Sequence, residues 1–193
     1  MFTARRVMSA AAAATVVAAS LAGCSLVEVA PPAPLSGLAA CALGSTWNLD
    51  TAKLAQDVQA ELGTRGITAT VAADGSQTLD WDLESHIVLT ADYTLTITDG
   101  EGETQRVVTD KHSGTSTGIA YINGEVAIPR NWDAKDLVVT TTATQAGAPL
   151  EAVPYTLVRT DIDDSVGVQL TCDGSALTTQ QRGSDLILSW SKK

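Results

Sequence analysis

Apolar and polar residues alternate strictly between positions 87 and 97. Ile87, Leu89, Ala91, Tyr93, Leu95 and Ile97 share one parity, with mostly polar residues between them. A strand points successive side chains to opposite faces, so this segment predicts a long β-strand with one buried face. A second period occurs earlier. Leu54, Ala55, Val58 and Leu62 recur at helical spacing, with Lys53, Gln56, Asp57 and Glu61 on the other side. Asp50 and Thr51 are candidate N-caps, because a side-chain oxygen there can accept a free amide hydrogen of the first turn. Gly63 and Gly66 mark the helix end, where glycine tolerates the left-handed exit.

The rest reads as further strands. A short one runs from Leu43 to Leu49. Ile67 to Ala73 and Gln77 to Leu83 flank Asp74-Gly75, a strong hairpin signal. Asp99-Gly100-Glu101-Gly102 turns the chain, and Thr104 to Thr109 returns beside the long strand. Ile119 to Ile122 and Glu125 to Ile128 flank Asn123-Gly124. Leu137 to Thr144, Val153 to Arg159, Val166 to Cys172 and Leu186 to Trp190 complete the set. Threonine and valine, both strand formers, are abundant. The expected fold is mainly β: a single antiparallel β-barrel or curved half-barrel of about ten strands with one N-terminal helix.

The first 23 residues stand apart from this pattern. Arg5 and Arg6 precede an apolar run, Val7 to Leu21, broken only by Ser9, Thr15 and Ser20. That length suits an export signal and is short for a membrane span. The run ends in Leu21-Ala22-Gly23-Cys24. This stretch resembles the lipobox of bacterial lipoproteins, L-[AS]-[GA]-C. The resemblance implies cleavage before Cys24 and lipid on its sulfur and new amino terminus. It implies a chain anchored to the cell membrane on the extracytoplasmic side, since two or more acyl chains hold stably where one is marginal. The arginine pair leaves both Sec and twin-arginine export open. Ser25 to Ala40 holds Pro31, Pro32 and Pro34 and reads as an extended tether, able to reach about 50 Å. The expected organisation is therefore 1–23 signal peptide, 24–40 lipidated cysteine and Pro-rich tether, and 41–193 β domain.

Charge narrows the partners. The full chain carries −10 at neutral pH, and loss of the signal removes two arginines and no acid. So acidic a surface repels nucleic acid and anionic headgroups, leaving the lipid on Cys24 as the expected membrane contact. Of three cysteines, lipidation of Cys24 leaves Cys41 and Cys172. An even remainder in an exported chain points to a disulfide, with two buried free thiols as the alternative.

Candidate chemistry is sparse. Gly114-Thr115-Ser116-Thr117-Gly118 has the G-x-S-x-G form of a nucleophile elbow. That device needs a strand-to-helix turn and, in α/β-hydrolases, a histidine after the serine. Here β patterns flank it, and His86 and His112 both precede it. It reads as a flexible Gly/Ser/Thr loop, and His112 beside Asp110 as an exposed loop histidine. Asp161-Ile162-Asp163-Asp164 and Asp99, Glu101 and Glu103 are acidic turns without the full calcium-loop pattern. No catalytic residue, metal ligand or cofactor is expected. Trp47, Trp81, Trp132 and Trp190 are spread over the domain, mainly as core residues. Trp47 and Trp190 are expected where the sheet closes. Trp132, in Pro129-Arg130-Asn131-Trp132-Asp133, is the best candidate for a ligand or partner contact.

Two stretches look like actinobacterial lipoproteins with lipocalin-like domains. Leu43-Gly44-Ser45-Thr46-Trp47-Asn48-Leu49-Asp50 is similar to the first strand of lipocalin-type barrels, with G-x-x-W in place of G-x-W. Cys172 to Leu177 followed by Leu186 to Lys192 resembles a closing hairpin, with Lys192 as the basic residue over the barrel end. The resemblance implies a barrel with room for a hydrophobic ligand and no catalytic residues. A module that docks another envelope protein is the alternative.

Overall fold

The computed structural model describes residues 35–157 and 162–193. The signal segment, Cys24 and the three tether prolines lie outside the described residues, as do Val158, Arg159, Thr160 and Asp161.

Among the described residues, nine strands, two α-helices and one 3₁₀ turn (Gly102–Thr104) follow one another: α1 Gly37–Ala42, β1 Ser45–Leu49, α2 Thr51–Thr64, β2 Ala69–Trp81, β3 His86–Asp99, β4 Arg106–Asn123, β5 Val126–Gln145, β6 Ala148–Pro149, β7 Val168–Cys172, β8 Ala176–Gln181 and β9 Leu188–Lys192. Eight of the strands close into an antiparallel barrel in the order β1-β2-β3-β4-β5-β7-β8-β9, with β9 returning to β1. Apart from the two-residue β6, which pairs on the end of β5, every strand neighbours the next in sequence. Full closure leaves few free edges, which is how an up-and-down sheet avoids edge-to-edge association.

Strand lengths make the barrel lopsided. β2 to β5 pair over long stretches, whereas β5 and β7 meet only at Val126↔Gln169 and Ala127↔Val168. The barrel is thus complete at the end carrying the β2–β3 turn. At the other end β2 to β5 continue as a curved sheet. α2 covers the exposed side of β2, where Val71 N donates to Gln59 Oε1 at 3.1 Å. The segment after β6 lies along β5, with Leu150 N donating to Ala143 O at 2.9 Å, and it packs Leu150, Val153, Tyr155 and Leu157 onto the core.

The expected alternation holds along β3, where Ile87, Leu89, Ala91, Tyr93, Leu95 and Ile97 are all buried. Asp50 caps α2, its Oδ1 accepting from Lys53 N at 2.9 Å. Leu54, Ala55, Val58 and Leu62 are the buried face of that helix. Trp47 and Trp190 are buried on the neighbouring strands that close the barrel, and Lys192 Nζ stands 5.6 Å from the centre of the Trp47 ring.

Several expected breaks in the strands are absent. Asp74-Gly75 does not turn the chain; both lie inside β2, opposite Thr94 and Tyr93 of β3. Gly75 has φ +97°, and a Cβ there would stand 2.2 Å from Asp92 O. Gly114 repeats this arrangement inside β4, with φ +108° and a Cβ position 2.0 Å from Asp136 O. These glycines let neighbouring backbones approach where long strands bend, a use of strand glycine distinct from a hairpin. The Gly114–Gly118 segment is accordingly mid-strand and not a flexible loop. Short expected strands merge: 104–109 with 119–122 into β4, and 125–128 with 137–144 into β5. The barrel therefore has eight strands, fewer than the expected ten. Residues 153–157 form no strand. β8, which the apolar pattern did not reveal, completes the wall.

The last residues of the expected tether also fold. Gly37–Ala42 form α1, with Leu38 and Ala39 packed against the core. Cys41 and Cys172 are joined by a disulfide that fastens α1 to the end of β7.

Candidate functional site

Alternation along a closed sheet sends every second side chain inward, so the barrel interior holds the candidate site. Eight strands enclose a space that side chains fill or nearly fill, with room at most for a small ligand. Here the filling is incomplete. A partly enclosed cavity of about 50 Å³ lies at the barrel centre. Its wall includes Leu79 and Trp81 of β2, Ile87 and Leu89 of β3, Leu170 of β7 and Trp190 of β9. Trp132, Ile162, Ser184 and Leu186 also border it. Among the described residues no charged one lines it. An uncompensated charge in such surroundings is strongly disfavoured, so the described wall suits a neutral group.

Two polar atoms on this wall lack partners. Gln77 Oε1 and Trp81 Nε1 make no hydrogen bond, and both side chains are buried (3% and 2% exposed). The other buried tryptophans differ. Trp47 Nε1 donates to Ala42 O at 3.1 Å, and Trp190 Nε1 donates to Thr179 Oγ1 at 3.0 Å. A buried donor or acceptor left unpaired costs about 1–3 kcal/mol.

Trp132 is half-buried within β5, not in a free loop. It follows Asn131, a non-glycine residue at φ +53°, and faces the stretch of β4 where the register shifts between Thr115 and Ile119. Its ring lies against Gly118, where a Cβ would stand 2.4 Å from Trp132 Cε3. Gly118 thus supplies the flat seat that lets an indole lie on the sheet beside the cavity.

A second interior group is polar. His112 is buried and not exposed as expected; its ring stacks on Tyr93 at 4.6 Å with an interplanar angle of 7°. His112 Nε2 donates to Asp110 Oδ2 at 2.8 Å, and Thr141 Oγ1 donates to Asp110 Oδ1 at 2.6 Å. Burial alone would raise the Asp110 carboxyl, but the bonds from His112 and Thr141 outweigh it and hold the group below its ordinary value. Asp99 is also buried, and Arg106 Nε donates to its Oδ1 at 2.6 Å. Nearby Tyr155 has its hydroxyl pushed up to about 12, first by burial and then by the charge of Asp99. Inward polar residues on β4 share the parity of the core, so polarity points His112 and Asp110 to an exposed loop while the strand buries them.

The elbow motif is not assembled. Ser116 Oγ is buried without a partner, in a continuous strand that leads into another strand, β5. Asp82, Glu84 and His86 gather in the exposed β2–β3 turn, where Asp82 Oδ1 accepts from Glu84 N and His86 N at 2.8 Å each. Asp163 accepts from Ser165 N at 2.9 Å, an ordinary acidic turn. Sequence reasoning missed Gln77. The signal available was its parity, since it precedes Leu79 and Trp81 by two and four residues on the same face. Among the described residues no helix is long and apolar enough to cross a membrane. Comparison with protein-family models, curated proteins and solved structures returned no match.

Proposed function

We propose that this chain is a non-enzymatic envelope lipoprotein, anchored to the cell membrane through lipid on Cys24, whose β-barrel binds a hydrophobic small molecule. The observation that carries the ligand half is the neutral, mainly apolar cavity enclosed by the barrel and bordered by Trp81, Trp132 and Trp190. The anchor half rests on the sequence Leu21-Ala22-Gly23-Cys24 after an apolar run. An extracytoplasmic setting agrees with the Cys41–Cys172 disulfide, a bond that persists where conditions are oxidising.

Size favours a second reading. The cavity has about a third of the ~150 Å³ that admits benzene in a rigid core. A nearly filled barrel suits a module that presents its outer surface to another envelope protein, and Tyr121 and Val138 are exposed on that surface. The ligand reading therefore requires that one end of the ligand enter while the border residues give way.

Two measurements test the proposal. Cys24→Ser should move the protein from the membrane fraction of its producing host to the soluble fraction; unchanged fractionation contradicts the anchor. The neutral dye N-phenyl-1-naphthylamine should brighten on mixing with the folded chain and be displaced by aliphatic competitors. No brightening beyond that with the denatured chain supports the interaction module instead.

A further inference from the structure

We infer that Gln77 and Trp81 form a polar anchor within the barrel, and that the ligand is a neutral amphiphile whose hydroxyl or similar hydrogen-bonding end occupies the cavity.

The inference rests on the ligand reading above and gives it a chemical class. Gln77 Oε1 is an acceptor without a donor, and Trp81 Nε1 is a donor without an acceptor. Both side chains are more than nine-tenths buried, and both line the same cavity. They sit four residues apart on β2 with Leu79 between them on the inward face, so one strand presents both. Elsewhere in the core each buried indole N–H has its acceptor, Ala42 O for Trp47 and Thr179 Oγ1 for Trp190. Asp99 Oδ2, Ser116 Oγ and the Tyr155 hydroxyl are also buried without a partner, but none of those residues lines the cavity. A fold that pairs its other buried indoles and leaves this one open has the donor pattern of a binding site, where a few placed polar groups fix orientation within an apolar lining.

The chemistry of the described wall disfavours other classes. Among the described residues the lining offers no counter-charge, so a carboxylate or ammonium would enter at a large desolvation cost. A pure hydrocarbon would leave both polar atoms unpaired. A hydroxyl both donates and accepts, so it can answer either atom. The apolar remainder of the molecule then lies toward Ile162, Leu186 and Trp132 at the border.

The competing occupant is water. The cavity has room for a few molecules, and a bridging water would satisfy the same atoms. Titration of the purified full chain with 1-octanol, octane and octanoate at pH 7, read by tryptophan fluorescence, separates these cases. The anchor predicts that 1-octanol binds at least tenfold tighter than octane or octanoate. Trp81→Phe, which keeps an aromatic ring and removes the N–H, and Gln77→Leu should each bring 1-octanol within about twofold of octane while octane binding persists. Because Gln77→Leu risks altering the strand, Trp81→Phe and Gln77→Asn supply independent tests, each with far-UV circular dichroism to confirm the fold. Equal binding of octane and 1-octanol by the unmodified chain overturns the anchor and leaves the ligand reading standing. A preference that survives both Trp81→Phe and Gln77→Leu does the same. Failure of all three probes to bind removes the ligand reading as well, and the two atoms then hold structural water only.

Discussion

His112 shows how one residue's role follows from what it meets. Its sequence neighbourhood of Asp110, Lys111, Ser113 and Gly114 is polar and small, the composition of a loop. In the barrel its ring lies on Tyr93 and its Nε2 donates to Asp110, so a polar side chain is stable on an inward face. Asp110→Asn keeps the shape, removes the charge and weakens the bonds from His112 and Thr141. A cost of roughly 1–3 kcal/mol is expected, measured by urea denaturation at pH 7. The pH dependence has a definite sign. A carboxyl held lower in the folded than in the unfolded chain stabilises the fold above its ordinary value of 3.8 and loses that contribution as pH falls through the folded value. Stability of the unmodified chain should therefore drop more steeply below pH 3.8 than that of Asp110→Asn. Parallel curves would show that Asp110 does not carry this acid sensitivity.

Elements were legible where local pattern and global fold agree. β3 was readable because both of its faces have consistent surroundings, core on one side and solvent on the other along fourteen residues. α2 was readable because its cap, stripe and terminating glycines all point to one element. β2 and β4 were broken in the reading because glycine marks both a turn and a bend in a long strand, and only the partner strand distinguishes them. Gly75 and Gly114 meet the carbonyls of Asp92 and Asp136, which are distant in sequence. β8 was missed because Thr178, Thr179, Gln180 and Gln181 carry little apolar signal, while closure of the barrel requires a strand there. This account predicts that Gly75→Ala and Gly114→Ala destabilise strongly. Each forces an L-residue to positive φ, worth roughly 1–3 kcal/mol of strain, and each brings a Cβ against backbone. Gly124→Ala, at φ +62° with open space around it, adds no such contact and should cost less. Equal losses in urea midpoint for all three would refute the close-approach explanation.

For the whole molecule, the ends of the chain decide how the barrel is held. α1, β1 and β9 meet at the complete end, and the Cys41–Cys172 bond closes a loop of 131 residues there. Linking distant points restricts the unfolded chain, and losing a native bridge from a domain of this kind costs typically 2–5 kcal/mol. Paired Cys41→Ser and Cys172→Ser substitution should lower the urea midpoint accordingly, and reducing agent should have no further effect on that variant. The candidate site was less legible than the bridge. Trp132 drew notice as an aromatic among turn-forming residues, and it borders the cavity. Gln77 did not, since its importance lies in a partner it lacks, and a missing partner is visible only in three dimensions.

The central claim is that the barrel takes a hydrophobic small molecule. Native mass spectrometry of the full chain, purified gently from its producing host, tests it most directly. The account predicts a bound population whose excess mass is lost on collisional activation, and whose released species is a neutral amphiphile. Ala120→Val adds two methyl groups to the buried cavity wall and should reduce that population while the fold is retained. No dissociable mass in either protein would contradict the claim.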